Sequence, residues 1–169
     1  MKKALIIMFC LTVIMVASGC GKSESNPKQI PDKLVKTLQS KGLNVVIRDN
    51  YPAVIVSGVF NFRSTILTDA DKKQLIYISK LIKSVAFDAS VRIDGHIDST
   101  SAQETVSEFN QRLSLERAET VRDILVNQDI FAANKISVKG WGDKNPIADN
   151  KTDAGRIKNR RIEIVIILE

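Results

Sequence analysis

Apolar residues recur three and four positions apart in three stretches of the chain, which is the spacing of amphipathic helices, and Thr152 can cap a fourth, short helix. The predicted helices cover residues 32–42, 68 to about 86, 114–127 and 152–159. Each begins at a residue whose side chain can accept a hydrogen bond from the first turn: Asp32, Thr68, Ser114 and Thr152. The helix at 114–127 places Leu115, Ala118, Val121 and Leu125 on one face, which is therefore expected to point inward.

Segments rich in β-branched residues predict five strands between these helices and after them. They cover residues 43–47, 53–59, 90–94, 135–140 and 161–168. The sequence Asp49-Asn50-Tyr51-Pro52 is typical of a turn, so the first two strands are expected to form a hairpin. Strands that alternate with helices and end on a strand predict an α/β fold, an α+β sandwich with helices packed on a mixed sheet.

The first 19 residues differ in character from the rest of the chain. Lys2 and Lys3 precede an almost entirely apolar run at 4–16, and the small residues 17–19 lead to Cys20. This pattern is typical of a secretory signal peptide, and the apolar run is too short for an ordinary membrane span. A buried N-terminal helix is the alternative, but it does not explain the small residues before a cysteine.

The sequence Ala17-Ser18-Gly19-Cys20 resembles the lipobox of bacterial lipoproteins, with Ala17 where leucine is usual. The resemblance implies that Cys20 becomes the lipidated N-terminus, and Gly21 in place of an aspartate implies the periplasmic face of the outer membrane. The predicted organisation is a signal peptide at 1–19, a lipid anchor and flexible tether at 20–31, an extension at 32–53 and a domain at 54–169.

Composition excludes several classes of function. The formal charge of +6 falls to +4 once Lys2 and Lys3 leave with the signal, and only 5% of residues are aromatic, so a nucleic-acid partner is not expected. One histidine and two cysteines do not easily build a zinc site, so neither a metal nor a cofactor is expected. No triad order or phosphate-binding loop is present, so we do not expect an enzyme.

A set of ordered motifs in the second half carries a family resemblance. They are Gly95-His96-Ile97-Asp98, residues 110–118, Gly140-Trp141-Gly142, residues 146–150 and residues 152–163. Together with Phe60-Asn61-Phe62 they resemble the OmpA-like peptidoglycan-binding domain, which peptidoglycan-associated lipoproteins and flagellar stator proteins share. The resemblance covers about 54–168 and implies a βαβαββ sandwich, here preceded by a short helix and a hairpin.

Asp98 and Arg117 are the main candidates for a binding site. Asp98 ends a strand, and Arg117 lies in the first turn of the helix predicted from Ser114, where a cation opposes the helix dipole and calls for a compensating anion. Glu116 or an external carboxylate could supply that anion. An ammonium at Asp98 and a carboxylate at Arg117 would form a clamp for a zwitterion; the alternative is an Asp98–Arg117 ion pair without a ligand.

By resemblance, Asp98 and Arg117 match the pair that holds the free D-centre of meso-diaminopimelate in the peptidoglycan stem peptide. Ser99 stands where the family often has asparagine, Asn110 positions the loop by resemblance, and Arg160 or Arg161 lies near the ligand or supports it. Ordinary turn capping is an equal alternative for Asn110. Ile97 replaces the family's threonine, which makes the flank of the pocket less polar.

Other residues have structural interpretations. His96 is predicted to be a structural hydrogen-bonding residue, and Trp141 to be partly buried packing. The basic cluster of Arg156, Lys158, Arg160 and Arg161 is predicted to be solvated or internally paired. Gly95 and Gly155 are expected at positions of positive φ or close backbone approach.

The resemblance implies an outer-membrane lipoprotein that binds peptidoglycan without a covalent bond and tethers the envelope to the cell wall. The alternative is a signalling lipoprotein of the YfiB type, which captures a periplasmic regulatory protein through the segment between lipid and domain. Residues 32–59 would be that segment here.

Overall fold

The protein is described by a computed structural model that covers residues 32–99 and 104–168. The predicted signal peptide, Cys20 and the tether lie outside the described residues. The helices are α1 (Asp32–Ser40), α2 (Asp69–Val85), α3 (Glu104–Asn127) and α4 (Asp153–Asn159), with a 3-10 turn at Ala133–Lys135. The strands are β1 (Val45–Arg48), β2 (Tyr51–Ser57), β3 (Ser90–His96), β4 (Ile136–Gly140) and β5 (Arg161–Ile167).

The five strands form one mixed sheet in the order β1-β2-β5-β3-β4. Only β3 and β4 are parallel, since α3 connects them, and the other pairs are antiparallel. Apolar side chains that alternate along β5, at Ile162, Ile164 and Ile166, pack with the helices on the inner face of the sheet. The predicted fold class, a βαβαββ mixed sheet with helices packed on it, is confirmed.

Helix α2 begins as its sequence predicts. The Thr68 side chain accepts from the backbone N–H of Asp71, and the Asp71 side chain accepts from the backbone N–H of Thr68. This capping box satisfies two N–H groups that have no partner within the helix, and Asp69 and Asp71 also suit the positive end of its dipole.

Helix α3 begins ten residues earlier than predicted, at Glu104. Ser114 is therefore not a cap but lies inside the helix, where its hydroxyl donates to the carbonyl of Gln111 and accepts from the N–H of Gly142. The apolar stripe that begins near Leu113 marks where the helix meets the core, and not where the helix starts. Arg117 consequently lies in the middle of α3, and the argument from the helix dipole does not apply to it.

Close backbone approach places α3 on the sheet. A Cβ atom on Gly95 would overlap the Ser114 carbonyl, and one on Gly140 would lie 2.7 Å from the Gln111 carbonyl oxygen. A Cβ on Gly155 would overlap the carbonyl of Asp149. The expectation of close approach at Gly95 and Gly155 is confirmed, and neither has a positive φ.

The hairpin between β1 and β2 is tighter than predicted. Only Asp49 and Asn50 form the turn, with φ of 49° and 66°, while Tyr51 and Pro52 already belong to β2. Two consecutive residues with positive φ match the right-handed twist of the strands that they join. None of the described helices is long and apolar enough to cross a membrane.

Candidate functional site

The candidate site lies beyond the carboxyl end of β3, between that end and helix α3. Asp98 follows the strand by two residues and is 4% exposed. One wall of the pocket consists of Ile97 and Asp98, and another of Asn110, Leu113 and Arg117 from α3. The structure thus brings Asp98 and Arg117, predicted as a pair, to the same pocket.

Arg117 is held by the loop that follows β2. Its Nε donates to the carbonyl of Ser64 (2.8 Å) and its Nη2 to the carbonyl of Asn61 (2.7 Å). Its guanidinium lies 5.0 Å from the centre of the Phe60 ring. The third nitrogen, Nη1, is buried and has no hydrogen-bond partner among the described residues. Arg117 is therefore fixed in place, while its Nη1 remains able to donate to a ligand.

The ion pair of the site joins Asp98 to Arg160 and not to Arg117. Arg160 Nη1 donates to Asp98 Oδ2 over 2.9 Å, so the expected alternative of an Asp98–Arg117 ion pair is wrong. Asp98 Oδ1 accepts no hydrogen bond from any residue in the described part of the chain. The pKa of Arg117 is lowered to about 10, first by burial and then by the nearby charge of Arg160, while Asp98 acts in the opposite direction.

The other three candidate residues, Ser99, Asn110 and Arg160, lie near Asp98 and Arg117. The backbone N–H of Ser99 donates to Asn150 Oδ1 (3.2 Å), and Asn110 Nδ2 donates to Asp143 Oδ2 (3.3 Å). Asn110 lies within α3, so turn capping is the wrong interpretation for it. The hydrogen bond from Asn110 joins α3 to the loop after β4. Arg160 Nε, like Arg117 Nη1, is a buried nitrogen that has no hydrogen-bond partner among the described residues.

The sequence interpretation missed the mouth of the pocket. Phe62 and Phe109 are exposed aromatic side chains there, and the guanidinium of Arg63 lies 5.3 and 5.9 Å from their ring centres. Arg63 also has a left-handed φ of 53°, which is unusual for a bulky residue. The space inside is only about 10 Å³, near the smallest that holds a water molecule. A larger ligand group therefore enters only when these side chains move.

The basic cluster around α4 is largely paired within the protein. Arg156 pairs with Asp153, Arg160 with Asp98, and Arg161 with Glu163 at 2.7 Å. Internal pairing was one of its two predicted states. Arg161 faces the opposite side of the sheet from the core, so it does not reach the Asp98 pocket.

His96 does not have the hydrogen bonds that were predicted for it. It is 3% exposed, and neither ring nitrogen has a hydrogen-bond partner among the described residues. Its ring is stacked parallel to that of Trp141, with centres 6.3 Å apart, and Trp141 is partly buried as expected. No group of three or more His, Cys, Asp or Glu side chains in the described ranges is placed to hold a metal ion.

The mixed sheet, its helices on one face and the Asp98 pocket at the end of β3 define a domain of the OmpA-like class. The chain belongs to the OmpA family, whose family model matches residues 59–160. Along 98% of its length it is 30% identical to the outer-membrane lipoprotein YfiB of Pseudomonas aeruginosa, of which it covers 94%.

Two solved structures show the same fold. The cell wall anchor of the T6SS from Pseudomonas aeruginosa is 26% identical with a TM-score of 0.63, over 80% of this chain and 94% of that one. The peptidoglycan-associated lipoprotein from Burkholderia pseudomallei is 27% identical with a TM-score of 0.55, over 66% of this chain and 88% of that one. Other relatives are much longer: the chain is 35% identical over 103 residues to the outer membrane protein Omp38 of Acinetobacter baumannii and covers only 28% of it.

Proposed function

We propose that this protein binds peptidoglycan without a covalent bond, through the free α-amino acid centre of diaminopimelate in the stem peptide. In this proposal Asp98 holds the ammonium group and Arg117 holds the carboxylate. The observation that carries it is the buried, unpartnered Nη1 of Arg117 in the same pocket as the Asp98 carboxylate.

The charges of the pocket favour a zwitterion over a simple ion. Asp98 uses Oδ2 for Arg160, which leaves Oδ1 to accept from an ammonium group. Arg117 uses two of its nitrogens for backbone carbonyls, which leaves Nη1 to donate to a carboxylate. A buried donor without a partner is costly, so a ligand carboxylate at Nη1 relieves a cost that the free protein bears.

The names of related proteins support the same class of ligand. One structural relative is a cell wall anchor and another is a peptidoglycan-associated lipoprotein. One relative that matches almost the whole chain is an outer-membrane lipoprotein. We propose that this protein is anchored by lipid on Cys20 at the periplasmic face of the outer membrane and acts as a binding protein, for which neither catalytic activity nor a metal or cofactor is expected.

Co-sedimentation with two kinds of wall tests the proposal. Lysine in the stem peptide lacks the second carboxylate of diaminopimelate, so Arg117 would lose its ligand group. We expect the full-length protein in detergent to pellet with diaminopimelate-type sacculi and to bind lysine-type sacculi much more weakly. Equal binding to both walls would contradict the clamp.

A second candidate function is the capture of a periplasmic protein partner by the segment at 32–59. The observation that favours it is an apolar groove of about 460 Å³ between α1 and the end of β5. Its lining includes Leu34, Thr37, Val85 and Leu168. Thr37→Arg would impair partner capture and leave wall binding unchanged, whereas a change at Asp98 would do the reverse.

A further inference from the structure

A second cavity lies on the outer face of the sheet, away from the helices and from the Asp98 pocket. Its volume is about 450 Å³, within the range of sites that bind small molecules. Its floor consists of Asp94 and His96 from β3 and Arg161 and Glu163 from β5. The walls are formed by the hairpin at Arg48 and Asp49, by Arg92 and by the loop that follows β4.

Strand register builds this floor. In the antiparallel pairing of β3 with β5, Asp94 lies opposite Glu163 and His96 lies opposite Arg161. Side chains alternate along a strand, so these four share the face opposite the apolar core residues such as Ile93 and Ile162. The same strand register therefore fixes the positions of the polar residues on one face and of the core residues on the other.

The charges in the cavity are already paired with one another. Glu163 accepts two hydrogen bonds from Arg48 and one from Arg161, and Arg92 donates twice to Asp94. Burial alone would raise the pKa of Glu163, but Arg48 and Arg161 outweigh this effect, and the pKa is lowered. An ionic ligand would have to compete with these pairs, whereas a neutral polar ligand would not.

His96 is the group on the floor that lacks partners. Its Nε2 lies 3.7 Å from Glu163 Oε1, too far for a hydrogen bond, and both of its ring nitrogens are buried. Burial, and then the charge of Arg161, lowers the pKa of His96 to about 3, so the ring is neutral at pH 7. A neutral imidazole offers one donor and one acceptor, and both are unsatisfied among the described residues.

A hydroxyl group is the complement of a neutral imidazole, because it both donates and accepts. An ionised carboxylate cannot donate, and an ammonium group cannot accept. A phosphate anion keeps a hydroxyl that can donate, but its charge would have to compete with the ion pairs already present in the cavity. We propose that this cavity, which we call the His96 cavity, binds a sugar whose hydroxyl groups bond to His96 and to the edges of the paired arginines and carboxylates. The suggestion that the sugar belongs to the glycan strand of the cell wall rests on the proposed function; the site itself does not.

Trp141 provides a readout that belongs to this site alone. It is the single tryptophan of the chain, it lines the His96 cavity, and its ring is stacked with that of His96. Both ring nitrogens of His96 are buried, so a sugar bonds to them only after side chains of the cavity shift. Because Trp141 lines the cavity beside His96, a bound sugar changes the surroundings of the indole. Tryptophan fluorescence therefore reports on the His96 cavity.

The experiment titrates the full-length protein, in a detergent without a sugar headgroup, with three probes. Oligomers of N-acetylglucosamine provide a neutral sugar, wall glycan strands freed of stem peptides provide the proposed source, and inorganic phosphate provides an anion. We expect both sugars to change the fluorescence of Trp141 and to bind in calorimetry, and phosphate to do neither. No sugar binding at millimolar concentration, or binding of phosphate in its place, would overturn the proposal.

Variants locate the binding. His96→Phe keeps a ring but removes both nitrogens, and we expect it to weaken sugar binding roughly tenfold or more, while His96→Gln, with one donor and one acceptor, restores most of it. Ile147 lines the His96 cavity and is exposed, so Ile147→Arg should block the cavity and weaken sugar binding to a similar extent. Ile157 is similarly exposed but lies outside the cavity, so Ile157→Arg should leave sugar binding unchanged.

The results separate this proposal from the proposed function. Wild-type sugar affinity in a folded His96→Phe protein would overturn it, and should that variant not fold, unchanged affinity in Ile147→Arg would do so. Asp98→Asn should lose binding to stem peptides but keep binding to sugar. Sugar binding without stem-peptide binding would reject the proposed function and support the sugar site. Binding of the oligomers but not of the glycan strands would support the sugar site and reject the cell wall as the source of the sugar.

Discussion

Asp98 and Arg117 lie on two walls of one pocket, yet the carboxylate of Asp98 is bonded to Arg160. Arg117 is occupied elsewhere, since it holds the loop carbonyls of Asn61 and Ser64. The two charges predicted as a pair therefore remain available to a ligand, and each has its own structural support. This arrangement makes the contributions of the two residues to binding and to stability separable.

Asp98→Asn should abolish most wall binding while the protein stays folded. Removing one partner of a desolvated charge pair costs about 2–5 kcal/mol, because the other charge is left unpaired. Co-sedimentation with diaminopimelate-type sacculi measures the loss. Asp88→Asn removes an exposed carboxylate outside the pocket and should bind like the wild type. Wild-type binding by Asp98→Asn would show that the carboxylate does not contact the ligand.

Arg117→Ala should lower stability as well as binding. The substitution leaves a cavity in place of a fully buried side chain and removes the donors to two carbonyls, which together costs about 2–5 kcal/mol. Urea denaturation at neutral pH measures the change. Arg122→Ala, on the same helix but half-buried and paired with its neighbour Asp123, should stay within about 0.5 kcal/mol of the wild type. A stable Arg117→Ala protein would mean that the loop is held by other contacts.

Gly95→Ala should destabilise the domain through steric overlap. The added Cβ meets the backbone carbonyl of Ser114 in α3, which cannot move without shifting the helix, and overpacking of this severity costs about 3 kcal/mol or more. At Gly42 a Cβ meets nothing within 4 Å, and the cost of Gly42→Ala, about 1 kcal/mol, comes from its φ of 80°. Thermal melting distinguishes the two, and an equal loss at both sites would contradict the packing argument.

His96→Phe should flatten the dependence of stability on pH. The pKa of His96 is lowered from 6.5 to about 3, first by burial and then by Arg161, so the unfolded chain takes up the proton more readily. The free energy of unfolding therefore falls as the pH decreases from about 6.5 towards 3, by at most about 1.4 kcal/mol per pH unit. His96 is the single histidine, so it should account for most of the slope between about pH 5 and 6.5. Denaturation of both proteins across this range tests it; the same slope in the variant would contradict it.

Cys20→Ser should release the protein from the membrane. The prediction follows from the lipobox resemblance of Ala17-Ser18-Gly19-Cys20, and two acyl chains are enough for stable anchoring. Cell fractionation with an antibody to the domain measures it. Cys10→Ser, within the predicted signal peptide, is the matched control and should fractionate like the wild type. Persistence of Cys20→Ser in the membrane fraction would reject lipidation at this residue.

Local sequence determined most of the elements of this fold. Thr68 with Asp71, and Thr152 with Gly155, set helix starts through bonds between residues three positions apart, so their sequence signals were sufficient. The alternation along β5 likewise specified which face meets the core. Helix α3 was the exception, because residues 104–112 precede the apolar stripe that begins near Leu113, and only the part that packs on β3 and β4 carries a clear signal.

The composition of the site was also readable from the sequence, but its bonding was not. Motif order pointed to Asp98 and Arg117 and left Arg160 and Arg161 as alternatives. That Arg160 is the partner of Asp98, 62 residues away in sequence, depends on where α4 ends relative to β3. The same holds for His96, which lost its expected hydrogen bonds because strand register placed it among charges that were already paired. Helix caps and turns are local and follow from sequence; partners of buried polar groups are set by contacts between distant segments, and tertiary structure alone decided them.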